Sequence, residues 1–199
     1  MFKDGARYNG IGPWMKEYFG GRTVKLAIDG GFTCPNRDGT LSSDGCIFCS
    51  SRGSGDFTSD QRLSITEQMR AQVEIMSEKW RSARFIAYFQ NYTNTYAPAA
   101  ALTRRYSEAL SFPGCCGIAI ATRPDCLSNE VVALLSDLNK KTFLWVELGL
   151  QTSNDSTAEI INRCCTTSVY DDAVKRLTSA GIRVVTHVIF GLPGETRSD

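Results

Sequence analysis

Residues 23–49 read TVKLAIDGGFTCPNRDGTLSSDGCIFC. The first six, TVKLAI, are a short apolar run with β-branched residues and predict a strand. The remainder has no periodicity: Gly, Asp, Ser and Pro surround Cys34, Cys46 and Cys49. A long structureless loop inside a compact domain is normally functional or otherwise pinned. Three cysteines in sixteen residues match neither a disulfide, which takes two, nor a structural zinc site, which takes four ligands.

Working outward, strands and helices alternate. SITEQMRAQVEIMSEKW (64–80) opens with the capping box Ser64-x-x-Glu67 and spaces Ile65, Met69, Val73 and Met76 as a helix does. RFIAYF (84–89), GIAIAT (117–122), FLWVELGL (143–150) and RVVTHVIF (183–190) read as further strands. Helices are predicted over 98–110, over 128–141 with Ser128 as its cap, and around 155–163 and 169–180, with Gly181 at a C-terminal cap position. Strands with buried-looking patterns alternating with helices indicate α/β and a parallel sheet, either a barrel or doubly wound. Residues 1–22 form an N-terminal extension and 23–199 the core domain. The pattern stops just after the fifth strand, so the expected fold is a truncated one.

Composition narrows the function classes. With 42% hydrophobic residues in 199, the chain can bury one sizeable core. The balance of 22 Lys+Arg against 21 Asp+Glu leaves no whole-chain electrostatic footprint for nucleic acid or an anionic membrane. The first residues lack the apolar stretch of a signal peptide, and no run approaches the roughly 18 apolar residues of a membrane span. Eight cysteines in a chain with regular α/β periodicity read as reduced thiols in the cytoplasm, available for metal.

The unusual residues fall at the C-terminal ends of the strands. The cysteine loop follows the first strand, QNYTNTY the second, TRPD the third, QTSND the fourth and GLPGET the fifth. That edge of a parallel sheet is where ligands bind. Cys46-x-x-Cys49 alone would suit a redox pair or half a zinc site; Cys34, with eleven residues intervening, lets three thiolates converge. Zinc would need a fourth ligand, and the one histidine, His187, lies within a strand. An iron–sulfur cluster on three cysteines leaves one iron free for an external ligand. Cluster, zinc and redox pair all remain open on spacing alone.

The order DGGFTCPNRDGTLSSDGCIFC, GSGDF, YFQNYTNTYAP, TRPDCL, VELGLQTSND, INR and VTHVIFGLPGET resembles the YhcC/YtqA-like radical S-adenosylmethionine (SAM) proteins, in the branch that also holds the elongator-like radical enzymes. The similarity runs from about residue 7 to the end. It implies a partial (βα)6 TIM-like barrel carrying a 4Fe–4S cluster on Cys34, Cys46 and Cys49, with SAM on the open iron. An electron from an external flavodoxin- or ferredoxin-like donor would cleave SAM to methionine and a 5′-deoxyadenosyl radical, which abstracts hydrogen from substrate. The branch points to RNA as substrate; a small metabolite or a protein is also compatible. The rival reading is a non-catalytic zinc- or cluster-binding module.

The resemblance also distributes roles. Phe48 would shield the cluster. Gln90 and Asn91, with Tyr92 and Thr93, occupy the place where backbone groups hold the amino end of SAM. Arg123 is suited to a carboxylate or phosphate, or to local pairing with Asp125. Glu147, Gly149 and Gln151 alternate along the fourth strand and share a face, where Glu147 or Gln151 would meet the ribose hydroxyls or pair internally. Ile189 and Gly191 lie in the adenine-binding strand. His187 is a candidate acid or base, or a satisfied interior residue, and Glu195 a helix cap. Near position 163 the family has glycine and histidine after its NR; here stand Cys164 and Cys165, which leaves the substrate open.

Overall fold

The computed structural model describes residues 5, 7–55, 58–76 and 84–196. Five parallel strands, β1 (Thr23–Ile28), β2 (Arg84–Phe89), β3 (Cys115–Thr122), β4 (Phe143–Gln151) and β5 (Arg183–Val188), form one sheet in the order β1-β2-β3-β4-β5. A doubly wound sheet reverses its strand order at a switch point. Consecutive order belongs to a (βα) barrel. Among the described residues the sheet is open, with β1 and β5 at its edges.

Helices α2 (Ile65–Met76), α3 (Ala99–Leu110), α4 (Asn129–Asn139), α5 (Asp155–Ile160) and α6 (Thr167–Ser179) connect the strands. One core lies between the sheet and this helical layer. It gathers Leu26, Ile28, Ala87, Phe89, Ile118, Ile120, Leu144, Val146 and Leu148 from the strands with Met69, Leu102, Leu135 and Leu177 from the helices. The middle strands β2, β3 and β4 are buried over most of their length, the pattern of covered parallel strands, whereas β5 at the edge is largely exposed.

The opposite face is covered differently. The extension contains a helix that the sequence reading did not foresee, α1 (Ile11–Phe19), which ends at Gly20 with φ 66°. Its Met15 and Phe19 pack on Ile86, Tyr88, Ala119, Phe143 and Trp145. Phe143 is the hub, with ring centroids 5.0 Å from Tyr18 and 4.9 Å from Phe19.

Local signals account for the helix ends. Ser64 and Glu67 form the expected capping box: the Ser64 N–H donates to Glu67 Oε2 at 2.8 Å and the Glu67 N–H to Ser64 Oγ at 3.2 Å. Ser128 Oγ accepts from the Val131 N–H, and Gly181 takes φ 73° just past α6. Of the helix expected over 64–80, residues 77–80 lie outside the described set. β5 ends at Val188 rather than 190, and Phe190 is 92% exposed.

Candidate functional site

The loops leaving β1, β2, β3 and β4 meet over a cleft of about 200 Å³. Eight of the eleven residues expected at a site line it: Cys34, Cys46, Phe48, Cys49, Gln90, Arg123, Glu147 and Gln151. Asn91, Ile189 and Gly191 stand apart. Asn91 is buried, and its Nδ2 donates to Asp29 Oδ2 at 2.6 Å and to Thr58 Oγ1 at 3.0 Å. Ile189 donates its N–H to Gln151 O at 2.9 Å, continuing the β4–β5 ladder past the strand end. A larger hollow of about 810 Å³ lies beyond Pro35 and Leu41, against Tyr96 and Leu127; it borders Cys126 but none of the three loop cysteines. The chemistry therefore places the site in the smaller cleft.

The cysteine loop is fastened from several sides. Arg37 Nη2 donates to Cys49 O at 3.0 Å and Ser50 O at 2.8 Å. Gly53 and Gly55 press the same loop onto the exit of β2. A Cβ on Gly55 would lie 1.9 Å from the Asn91 amide, and one on Gly53 2.4 Å from the Tyr92 ring. Those contacts explain the glycines of GSG; the Asp56 and Phe57 that complete the motif lie outside the described residues.

Arg123 is engaged by the protein itself. Its Nε and Nη2 pair with Asp125 Oδ1 and Oδ2 at 2.8 and 2.7 Å, and Nη1 donates to Arg163 O at 3.0 Å. Burial opposes its charge, yet the Asp125 carboxylate outweighs that and raises its pKa. The guanidinium thus fixes the turn after β3 while one side borders the cleft.

Below it lies a polar network on the inner face of the sheet. Glu147 is 3% exposed in its side chain, and Oε1 accepts from Lys25 Nζ at 2.9 Å and Trp145 Nε1 at 2.7 Å. Its Oε2 lies 2.8 Å from His187 Nε2. Gly149, the register partner of His187 across the β4–β5 ladder, has no side chain between them. Lys25 Nζ also sits 3.8 Å over the Tyr88 ring. Burial alone would raise the Glu147 pKa; His187, Lys25 and Trp145 outweigh it and hold it at about 2. Burial and the Glu147 charge push the Tyr88 phenol upward.

Gln151 departs from simple alternation. Its φ is 72°, and the β4–β5 register shifts between Gly149 and Gln151. A Cβ on Gly149 would meet Gln151 Nε2 at 2.6 Å, so the amide folds back over the glycine on the cleft side.

Residues that the sequence reading left without a role also matter. Arg163 borders the cleft, and its Nη2 donates to Gly149 O at 2.7 Å. Burial pushes the Cys46 thiol up, while Arg163 and the Asn36 amide pull it down. INR at 161–163 was legible only as a motif; nothing local in it predicts contact with a loop more than a hundred residues away. Cys164 is exposed with φ 51°, and burial raises the Cys165 thiol. Among the described residues no three or more His, Cys, Asp or Glu side chains form a group that could hold a metal ion. The three loop thiols instead border one cleft, a donor set for a group with several metal atoms between them.

The profile of the Radical SAM superfamily matches residues 33–199. The chain belongs to that superfamily. It is 47% identical over 191 residues to the uncharacterized protein YtqA of Bacillus subtilis, covering 96% of this chain and 59% of the relative. It is 37% identical over 192 residues to protein YhcC of Escherichia coli K12, covering 96% and 61%. The chain therefore spans about three fifths of these relatives' length. In fold it is similar to Methanocaldococcus infernus Elp3, with a TM-score of 0.61 at 18% identity over 87% of this chain and 39% of Elp3. A radical SAM member with a parallel α/β sheet accounts for the cysteine loop at the C-terminal end of its first strand. No helix among the described residues is long and apolar enough to cross a membrane.

Proposed function

We infer that the protein is a radical SAM enzyme whose cleft binds a 4Fe–4S cluster through Cys34, Cys46 and Cys49. The observation that carries this reading is the meeting of those three thiols with Gln90, Arg123, Glu147 and Gln151 around one cleft, in a chain of this superfamily. Cluster and SAM together supply a reductive cleavage that generates a 5′-deoxyadenosyl radical for hydrogen abstraction. The chain's own residues do the rest. Phe48, between Cys46 and Cys49 in sequence, lies on the cleft wall, where its ring would shield a bound cluster from water. Gln90 Nε2 is bound to Ser54 O at 2.7 Å, which ties the exit of β2 to the cysteine loop. Glu147, ionised and triply partnered, fixes the floor, and the Gln151 amide, folded over Gly149 at the cleft, would meet ribose hydroxyls.

The electron comes from an external flavodoxin- or ferredoxin-like protein. RNA is the first substrate class to examine, on likeness to the elongator-like branch alone; the balanced charge adds nothing to it. Cys46→Ala tests the ligand assignment. After anaerobic reconstitution the variant is expected to lose nearly all cluster iron while keeping the circular dichroism of the parent. Full iron content in the variant would remove Cys46 from the ligand set. Comparison of modified nucleosides in cells with and without the gene tests the RNA assignment: loss of one modification supports it, and identical profiles refute it.

A further inference from the structure

The INR segment after α5 is joined to the cysteine loop by a set of bonds that the mechanism above does not use. The Ile47 N–H donates to Ile161 O at 3.2 Å. Asn162 Nδ2 donates to Gly45 O at 2.7 Å and to Ser42 Oγ at 3.3 Å. From the other side Asn36 Nδ2 donates to Asn162 O at 2.6 Å, and the same nitrogen lies 3.3 Å from Cys46 Sγ. Asn36 is fully buried, and its Oδ1 has no hydrogen-bond partner among the described residues. Turning the amide over would set Oδ1 against the Asn162 carbonyl oxygen, an acceptor, so the donor side must face it and with it the Cys46 sulfur, which as a metal-bound thiolate only accepts. A buried acceptor left unpaired is costly. The arrangement keeps the donor on the sulfur in spite of that cost.

We propose that Asn36 is a positioning residue that aims an N–H at the Cys46 sulfur and raises the reduction potential of the iron–sulfur group held there, with Asn162 as the latch that seats the loop. This rests on the cluster reading given above. Reduction adds negative charge that is shared with the ligand sulfurs. A donor pointing at one of them stabilises the reduced form more than the oxidised form, and burial strengthens the effect. Asn162 adopts φ 51°, which places its carbonyl on Asn36 and its amide on Gly45 at once.

The test uses the full chain, reconstituted anaerobically as wild type, Asn36→Leu and Asn162→Gly. Iron and sulfide are counted, and the midpoint potential is read by a titration followed by electron paramagnetic resonance. Asn36→Leu keeps the volume and deletes the donor. It is expected to load a cluster but to be roughly tenfold harder to reduce, which is about 59 mV for a one-electron couple. Asn162→Gly keeps the donor and suits the positive φ; its potential should match wild type, while a chelator strips its iron faster. Asn36→Ala carries the same expectation as Asn36→Leu and replaces it if the leucine variant does not fold. A donor-deleted variant with a full cluster and an unchanged potential overturns the proposal and leaves the cluster reading standing. Wild type that takes up neither iron nor sulfide overturns both.

Discussion

Glu147 is a buried carboxylate held by three partners on three strands, Lys25 on β1, Trp145 on β4 and His187 on β5. Its pKa falls from the usual 4.5 to about 2 in the folded chain. A carboxylate with a depressed folded pKa contributes stability above its unfolded pKa and loses it as pH falls through the folded one. The unfolding temperature of wild type should therefore drop between about pH 4.5 and pH 2. Glu147→Gln should lie lower at pH 7 and lose part of that slope; thermal unfolding followed by circular dichroism at both ends of the window checks it. Equal slopes for the two proteins would contradict the account of Glu147. The alternation of strand four placed Glu147 on the inner face, and it lies there. What alternation could not reveal is which partners reach it, because Lys25 stands 122 residues away in sequence. Gln151 shows the other limit, since inference by alternation assumes an extended backbone and its φ is 72°.

Among the elements, the strands were the most legible. Parallel strands covered on both faces demand continuous apolar runs, and such runs stand out between glycine-rich exits. α1 was missed because it is short and begins among Gly10, Gly12 and Pro13, although Met15 and Phe19 are spaced as on a helical face. Loop geometry was hardest, since its contacts are tertiary. Gly55 illustrates this: its need for glycine comes from the Asn91 amide of another loop. Gly55→Ala should force the two loops apart, costing about 1–3 kcal/mol of stability. It should also lower the iron retained after reconstitution. Urea unfolding and an iron count check the two effects, and an alanine variant matching wild type in both would show that the loops yield freely.

At the scale of the molecule, the sheet separates two tasks. One face carries the helical layer and most of the core. The other is split along the strands between an aromatic layer under α1 and the polar cleft at the strand exits. Phe143 joins α1 to the sheet through Trp14, Tyr18, Phe19 and Trp145. Phe143→Ala should cost about 3–5 kcal/mol, the usual range for a buried phenylalanine. A loss below about 1 kcal/mol in urea unfolding would mean that α1 contributes little to the fold. The five strand-end motifs were separable in sequence, and their placement at one sheet edge follows from parallel order alone. The first four converge on one cleft with the three thiols, and GLPGET does not line it; that convergence is the claim on which function turns. Anaerobic reconstitution of the chain, followed by iron and labile sulfide analysis and by reduction in the presence of SAM, tests it most directly. The account predicts about four irons and four sulfides per chain, with 5′-deoxyadenosine formed on reduction. Bound zinc, no labile sulfide and no 5′-deoxyadenosine would contradict it.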